Sequence, residues 1–235
     1  MTGFSIDIYS DGANVRDMVF AHRSRLVDGF TTNPTLMAKA SVPDYRAFAR
    51  EVLSQIQDLP VCFEVFEDDL PGMARQAREM AGWAANVFVK VPVTNTRGES
   101  TLPLIRELTG EGLRLNVTAV LALSQAEAVV EAVHPQVPAI LSIFAGRIAD
   151  TGRDPVPLVT QAVAMASGRP LLKVLWASPR EVLNVYQAEA CGCHIIAVTP
   201  ELRARLSLRG KDLEEFSRET VQMFFDDARR AGYTL

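Results

Sequence analysis

The sequence lacks the marks of a nucleic-acid or membrane protein. Its net charge is −4 and no basic block is longer than a pair or so, so the electrostatic footprint of a nucleic-acid binder is missing. No apolar stretch approaches the roughly 18 residues that a spanning helix requires. The first residues, Met1 to Asp7, have no positive head followed by a long apolar segment, so neither export signal nor membrane anchor is expected. Cysteine is scarce and odd in number, namely Cys62, Cys191 and Cys193, which excludes a disulfide framework. The spacing Cys191-Gly192-Cys193-His194 lacks the two-residue gap of zinc and redox pairs, so all three thiols are read as small buried hydrophobes and no metal is expected. No glycine-rich dinucleotide fingerprint, linker, low-complexity tract or short internal repeat is found. These absences leave a soluble, cytoplasmic protein that acts on small molecules.

What is there is ordinary globular material: 235 residues, 48% hydrophobic and 22% charged, enough for one large core and one domain. Short apolar runs recur at intervals of roughly 22 to 30 residues, with amphipathic segments between most of them, which is the βα rhythm of a parallel sheet. The runs are Ile6–Asp11, Gly29–Asn33, Val61–Phe66, Val87–Val93, Leu113–Val120, Ala139–Gly146, Pro170–Ser178 and His194–Pro200. Eight of them argue for a closed (β/α)8 barrel of the TIM type rather than an open doubly wound sheet. Helical spacing of apolar residues predicts helices over 44–59 and 71–85, and another beginning at Thr101-Leu102-Pro103 and ending near Gly110 or Gly112. Ser124 is expected to cap a helix over 125–133, Pro155 or Pro157 to open one reaching Ala166, and Ser178 to start one reaching about Ala190. An extra C-terminal helix over 211–231 carries Leu213, Phe216, Val221, Phe224 and Phe225, more aromatic surface than one barrel face needs. It is read either as packing on a neighbouring subunit or as a buried helix.

One run stands apart. In Asn86-Val87-Phe88-Val89-Lys90-Val91-Pro92-Val93 a single amine interrupts strand-forming residues. Alternation puts Phe88, Lys90 and Pro92 on one face and the four valines on the other. A lysine in such a strand is paired, held neutral or pointed at something. An amine whose pKa is lowered by apolar surroundings attacks a carbonyl and forms a Schiff base; the duller reading is a strand-end lysine reaching solvent.

The carboxyl ends of barrel strands are where chemistry belongs. Those ends carry Asp11, then Thr31-Thr32-Asn33-Pro34, Glu64, Lys90, Asn116 with Thr118, Ser142 with Phe144 and Arg147, and Ser178 with Arg180. An amine and two carboxylates facing one interior support a defined sequence: Lys90 adds to a ketone, the carbinolamine loses water, and the iminium draws electrons from a breaking C–C bond. Glu64 and Thr118 are suited to hold the water and Asp11 to act as the base. Asn33, Asn116 and Ser142 are suited to bind the hydroxyls of a polyol, and Arg147, Ser178 and Arg180 to clamp a phosphate, the last two at a helix start. Each has a plainer reading: Asp11 as a turn residue or cap, Thr31 to Asn33 as loop and cap, Ser178 as an N-cap, Arg147 and Arg180 as surface ion pairs.

These motifs resemble, in order and across nearly the whole chain, the short members of the transaldolase family, which include the fructose-6-phosphate aldolases. The matching stretches are Thr31-Thr32-Asn33-Pro34, Phe88-Val89-Lys90-Val91-Pro92, Asn116-Val117-Thr118-Ala119, Ser142-Ile143-Phe144-Ala145-Gly146-Arg147-Ile148 and Ala177-Ser178-Pro179-Arg180. The resemblance implies a (β/α)8 class I aldolase with Lys90 as the Schiff-base lysine, Asp11 as acid/base, and Glu64 and Thr118 activating the water. Thr32, Asn33, Asn116 and Ser142 would orient a dihydroxyacetone unit beside Phe144, and Arg147, Ser178 and Arg180 would hold phosphate. Aldolases of the family carry glutamine in place of Glu64 and tyrosine in place of Phe144, so the chain sides with the transaldolases. It departs from many relatives at Pro179, where they have phenylalanine, and Trp176 adds bulk to the same wall, both of which bear on Arg180 and on the acceptor. The implied activity is transfer of dihydroxyacetone from a ketose phosphate such as sedoheptulose 7-phosphate or fructose 6-phosphate to an aldose phosphate, in carbohydrate metabolism, with no cofactor. The other readings are an aldolase releasing free dihydroxyacetone, a transaldolase for an unusual long-chain sugar phosphate, and an idle barrel that senses sugar phosphates. The resemblance also implies a homo-oligomer, small relatives commonly forming decamers of two stacked pentamers.

Overall fold

Each expected strand run holds aliphatic or β-branched residues at most positions, and each becomes a strand in the computed structural model, which describes residues 4–235. In chain order the first half is β1 (Asp7–Asp11), α1 (Val15–Arg23), β2 (Gly29–Thr31), α2 (Pro34–Lys39), α3 (Tyr45–Gln55), β3 (Val61–Glu64), α4 (Leu70–Ala81), β4 (Val87–Pro92) and α5 (Leu102–Gly110). There follow β5 (Leu115–Val120), α6 (Leu123–Ala132), β6 (Ala139–Ile143), α7 (Ala145–Ala149), α8 (Val156–Ala166), β7 (Leu172–Trp176), α9 (Leu183–Ala190), β8 (Ile195–Val198) and α10 (Pro200–Arg205). A short 3-10 helix at Leu206–Leu208 precedes α11 (Leu213–Ala231). The strands pair in parallel in sequence order and β8 returns to β1, so the sheet is a closed (β/α)8 barrel.

The chain divides into two compact units, one ending at Arg203 and one running from Ala204 to Leu235. In the first, alternation sorts the strand residues. Val87, Val89, Val91 and Val93 are buried and face the helical layer. Tyr9, Cys62, Ile140, Leu175, Ala177, Ile195 and Ala197 form a cluster inside the barrel, with Phe88 and Phe144 against it. Register then sets Glu64, Lys90 and Asn116 side by side on β3, β4 and β5, and Asp11 beside Thr31 on β1 and β2. The second unit is mainly α11, capped by Asp212, whose side chain accepts from the Glu215 N–H, and closed by Gly232 in the left-handed conformation. Glu214 and Glu215 in its first turn and Arg229 and Arg230 in its last match the helix dipole, and Leu213, Val221, Phe224 and Phe225 are exposed. No described helix is long and apolar enough to cross a membrane.

Two helix starts differ from expectation. Ser124 lies inside α6 and does not cap it; the Gln125 side chain reaches back to accept from the N–H groups of Leu121 and Ala122, which moves the start to Leu123. Ser178 does not open α9, which begins at Leu183. Ser178 sits in the left-handed region at φ 58, and Asn184 Oδ1 accepts from the N–H groups of Arg180 (2.7 Å) and Glu181 (3.2 Å). The short helices α1, α2, α7 and α10 add to those expected.

Strand ends β6 and β7 meet at one glycine. Gly146 N–H donates to the Ala177 carbonyl (3.2 Å), and a Cβ built on Gly146 would stand 1.6 Å from the Ser178 carbonyl oxygen. Backbone against backbone leaves no flexible group to yield. Gly146→Ala is expected to cost about 3 kcal/mol or more of stability, read as a fall in the denaturation midpoint; a variant as stable as the parent would show that this contact is not tight.

Candidate active site

Strand β4 delivers Lys90 to the barrel interior, where the residue is 6% exposed. Its Nζ donates to the Thr32 carbonyl at 2.8 Å and lies 3.1 Å from Glu64 Oε2. Of the readings open for this lysine, the structure gives it partners: a carboxylate and a backbone carbonyl, two acceptors that offset the cost of burying a polar group. Glu64 occupies the cross-strand position beside Lys90, so the pair follows from sheet register without a loop rearrangement.

Around Lys90 a cavity of about 470 Å³ opens at the carboxyl ends of the strands. Of the twelve residues singled out from sequence, Asp11, Asn33, Glu64, Lys90, Thr118, Ser142, Phe144, Arg147, Ser178 and Arg180 line it. Thr32 does not: its side chain is fully buried on the opposite parity, and Thr31, in register with the interior residues Asp11 and Cys62, takes the wall position. Asn116 lies just beneath the wall, buried, with its Oδ1 accepting from Ser142 Oγ at 2.7 Å. Asn33 serves two ends at once, lining the cavity while its Oδ1 caps α2 through the Leu36 N–H (3.0 Å), which leaves its amide hydrogens for other partners.

Asp11 shows one face to the cavity and is otherwise enclosed by protein. Burial raises its pKa above the ordinary carboxylate range; the nearby Lys90 opposes the rise and Glu64 adds to it. Its Oδ1, like Thr118 Oγ1, is buried without a hydrogen-bond partner in the protein, and both residues border the cavity. A carboxyl whose pKa is raised by burial holds a proton more firmly than an exposed one, which suits it to take and return a proton. Cys62, under the same floor and fully buried, has its thiol pushed up to about 11 by burial and is a neutral packing group.

At the mouth Arg147 is exposed, its guanidinium 5.6 Å from the centre of the Phe144 ring. Arg180 forks onto Asp150, Nε to Oδ1 at 3.1 Å and Nη2 to Oδ2, so the plainer surface-pair reading of Arg180 holds alongside its place on the wall. Since α9 starts after both, Ser178 and Arg180 do not form the expected helix-start anion site. Lys39 and Thr35 of α2 also line the cavity and were not foreseen; only the turn into α2 brings them there. At the other end of β8, Cys193 is buried, Cys191 is half-buried, and His194 Nδ1 accepts from the Val174 N–H at 3.0 Å. Among the described residues no group of three or more His, Cys, Asp or Glu is placed to hold a metal.

A lysine inside a closed (β/α)8 barrel, between two carboxylates and beneath hydroxyl and amide side chains, defines an amine-dependent carbonyl-chemistry site. Residues 8–235 match the transaldolase/fructose-6-phosphate aldolase family. The chain is 34% identical over 192 residues to the "Probable transaldolase" of Dehalococcoides mccartyi, covering 81% of this chain and 85% of that protein. It is 30% identical over 228 residues to the "Probable transaldolase" of Thermoanaerobacter sp., covering 97% and 99%. Among solved structures, KGPDC from Streptococcus mutans aligns with a TM-score of 0.57 at 11% identity over 85% of this chain and 90% of that one, a likeness of fold alone. The chain belongs to the transaldolase/fructose-6-phosphate aldolase family, whose general mechanism runs through a Schiff base.

The raised pKa of Asp11 has a stability consequence. Between the unfolded value of about 3.9 and the higher folded value, the folded chain keeps a proton that the unfolded chain has lost, so stability falls as pH rises through that window. Asp11→Asn removes the titration. It is expected to raise the melting temperature at pH 7 to 8, with the gain shrinking as pH is lowered towards 4, while transfer activity is lost; a variant less stable than the parent at pH 8 would contradict this account of Asp11.

Proposed function

We propose that this chain transfers a dihydroxyacetone unit from a ketose phosphate of the sedoheptulose 7-phosphate or fructose 6-phosphate type to an aldose-phosphate acceptor, with Lys90 as the Schiff-base residue. The supporting observation is the buried amine of Lys90 held 3.1 Å from Glu64 at the carboxyl end of the barrel. Lys90 gives a proton to Glu64 and adds to the ketose carbonyl, whose oxygen takes a second proton from the same nitrogen to become the carbinolamine hydroxyl. Glu64 then returns its proton to that hydroxyl, which leaves as water held by Thr118 as the nitrogen lone pair closes the iminium. Asp11 then takes the proton of the adjacent chain hydroxyl as the C–C bond breaks, its electrons flowing to the iminium nitrogen, and the first aldose leaves. No metal or organic cofactor is needed, because the iminium is the electron sink.

The three-carbon enamine stays on Lys90 until a second aldehyde enters. Phe144 stands where it offers no proton, so the intermediate is not quenched to free dihydroxyacetone. Ser142, Asn116 and the amide hydrogens of Asn33 orient the hydroxyls of the bound unit. Arg147, Ser178 and Arg180 meet the phosphate at the mouth, Arg180 being shared with Asp150. The chain works in the cytoplasm as a homo-oligomer, and the exposed Val221, Phe224 and Phe225 of α11 support packing of that helix against a neighbouring subunit.

Lys90→Met fills nearly the same volume without an amine. Borohydride reduction in the presence of fructose 6-phosphate is expected to leave a three-carbon adduct on Lys90 of the parent and none on this variant, with turnover abolished and the melting temperature retained. An unmodified parent would sink the Schiff-base assignment. Phe144→Tyr, with or without Glu64→Gln, is expected to raise acceptor-independent release of dihydroxyacetone relative to transfer, measured with fructose 6-phosphate alone and then with an aldose phosphate added. An unchanged ratio would discredit the role given to Phe144.

A further inference from the structure

Strand β3 loses its neighbour on one side just as it reaches the active site. Its even-numbered residues turn both backbone groups towards β2: Phe30 N–H donates to the Pro60 carbonyl (2.8 Å) and Thr32 N–H to that of Cys62 (3.2 Å). Its odd-numbered residues face β4, as Val65 N–H does in donating to the Lys90 carbonyl (3.0 Å). Glu64 is next on the β2 side, but β2 ends at Thr31 and the chain turns at Asn33-Pro34 into α2. The N–H and C=O of Glu64 therefore have no strand to pair with, and orphaned backbone groups inside a sheet are costly.

Tyr45, the first residue of α3, fills the gap from outside the barrel. Its hydroxyl accepts from the Glu64 N–H at 2.8 Å and donates to the Glu64 carbonyl at 2.9 Å, so one oxygen supplies both functions of a missing strand residue. The ring is held by Phe63, Phe66 and Trp83, with centroid separations of 6.3, 5.3 and 6.2 Å. Burial pushes the phenol pKa up, so the hydroxyl keeps the proton it donates. Tyr45 does not line the catalytic cavity; it borders a separate surface cleft of about 290 Å³ together with Phe66 and Trp83.

We propose that Tyr45 is a positioning residue for the transfer reaction: its hydroxyl substitutes for the absent β2 partner and fixes the backbone of Glu64, and so aims the Glu64 carboxylate at Lys90. The inference rests on the role given to Glu64 above. Two hydrogen bonds to one residue hold its peptide planes against rotation, and without them the last residue of β3 is tied to the sheet only through its β4 neighbours. A carboxylate that must meet an amine at 3.1 Å is sensitive to such a rotation.

The test is a double-mutant cycle on the full chain, using fructose 6-phosphate as donor and an aldose phosphate as acceptor. Tyr45→Phe is expected to lower kcat about tenfold, with donor KM within about twofold of the parent, and to slow borohydride-trappable adduct formation by a similar factor. In the Glu64→Gln background the same substitution should cost nothing further, because a hydroxyl that acts through Glu64 has nothing left to aim. Trp83→Phe disturbs the same aromatic packing but spares the hydroxyl, and should keep the parent kcat. An unaltered kcat in Tyr45→Phe, independent multiplicative losses in the double variant, or an equal loss in Trp83→Phe would each overturn the proposal. Full activity in Glu64→Gln would instead fault the role of Glu64 itself, a separate failure. One measurement needs no variant: the Glu64 amide of the parent should exchange its hydrogen as slowly as those of Cys62 and Phe63, and exchange at the rate of the following loop would overturn the proposal.

Discussion

A charged pair with little contact to bulk water governs this molecule. Removing an ammonium and a carboxylate from water costs several kcal/mol per ion, and their attraction offsets that only where geometry is good and further hydrogen bonds are made. Here Lys90 meets Glu64 at 3.1 Å and the Thr32 carbonyl at 2.8 Å, while Asp11 close by carries a raised pKa and an unpartnered oxygen. Left to itself, such a cluster opposes folding. The closed barrel supplies the compensation, with an interior of Tyr9, Cys62, Ile140, Leu175 and their neighbours below the site and an outer layer of valines under the helices. Stability is thus built beneath the site and spent at the carboxyl ends, the division expected of this fold.

Closure also constrains the backbone at those ends. Beside the cavity, Ala119 on β5 and Ser178 after β7 both adopt left-handed φ near 60°, a conformation that costs non-glycine residues about 1 kcal/mol or more each. At Ala119 the register between β5 and β6 shifts, which ends the simple alternation just after Thr118 has been turned inward. At Ser178 the carbonyl is pressed against Gly146 so closely that no side chain fits there. These two strained turns set where Thr118, Phe144 and Arg147 stand, since α7 begins directly from the second contact.

The parts of this arrangement that could be read from the residues are those in which chemistry interrupts a pattern. Lys90, Glu64 and Asp11 are charges set into apolar strands, and the valines around Lys90 state which face is which; the barrel itself is legible in eight apolar runs separated mostly by amphipathic segments. What could not be read depends on register and on partners remote in sequence. Thr31 rather than Thr32 reaches the wall because it is the residue in register with Asp11 on β1 and Cys62 on β3, and nothing local to Thr31-Thr32-Asn33 states that register. Ser178-Pro179 has the composition of a helix start, but the side chain of Asn184, several residues on, takes the N–H groups and delays it. Asp150 and Tyr45 reach their partners from elements remote in sequence. Tyr45 in particular sits at helical spacing with apolar residues and looks like plain core.

Transfer, as against release, depends on what surrounds a carbanion during the interval between two aldehydes. The side chains around the cavity are an apolar ring, Phe144, the Ser142 hydroxyl, which donates to Asn116 Oδ1, and the Asn33 amide, whose oxygen is taken by the Leu36 N–H while its hydrogens remain for a substrate. Such groups orient a polyol but are poor acids. In the transfer proposed above, Asp11, its pKa raised by burial, accepts the hydroxyl proton of the first aldose and would hand that proton to the alkoxide formed from the second, which would tie its protonation state to the presence of an acceptor. A raised pKa serves both halves of this cycle, for a carboxyl of ordinary strength would shed the proton to any water that entered. On that proposal, the same burial that makes Asp11 costly to the fold would keep the three-carbon unit intact until a sugar arrives to claim it.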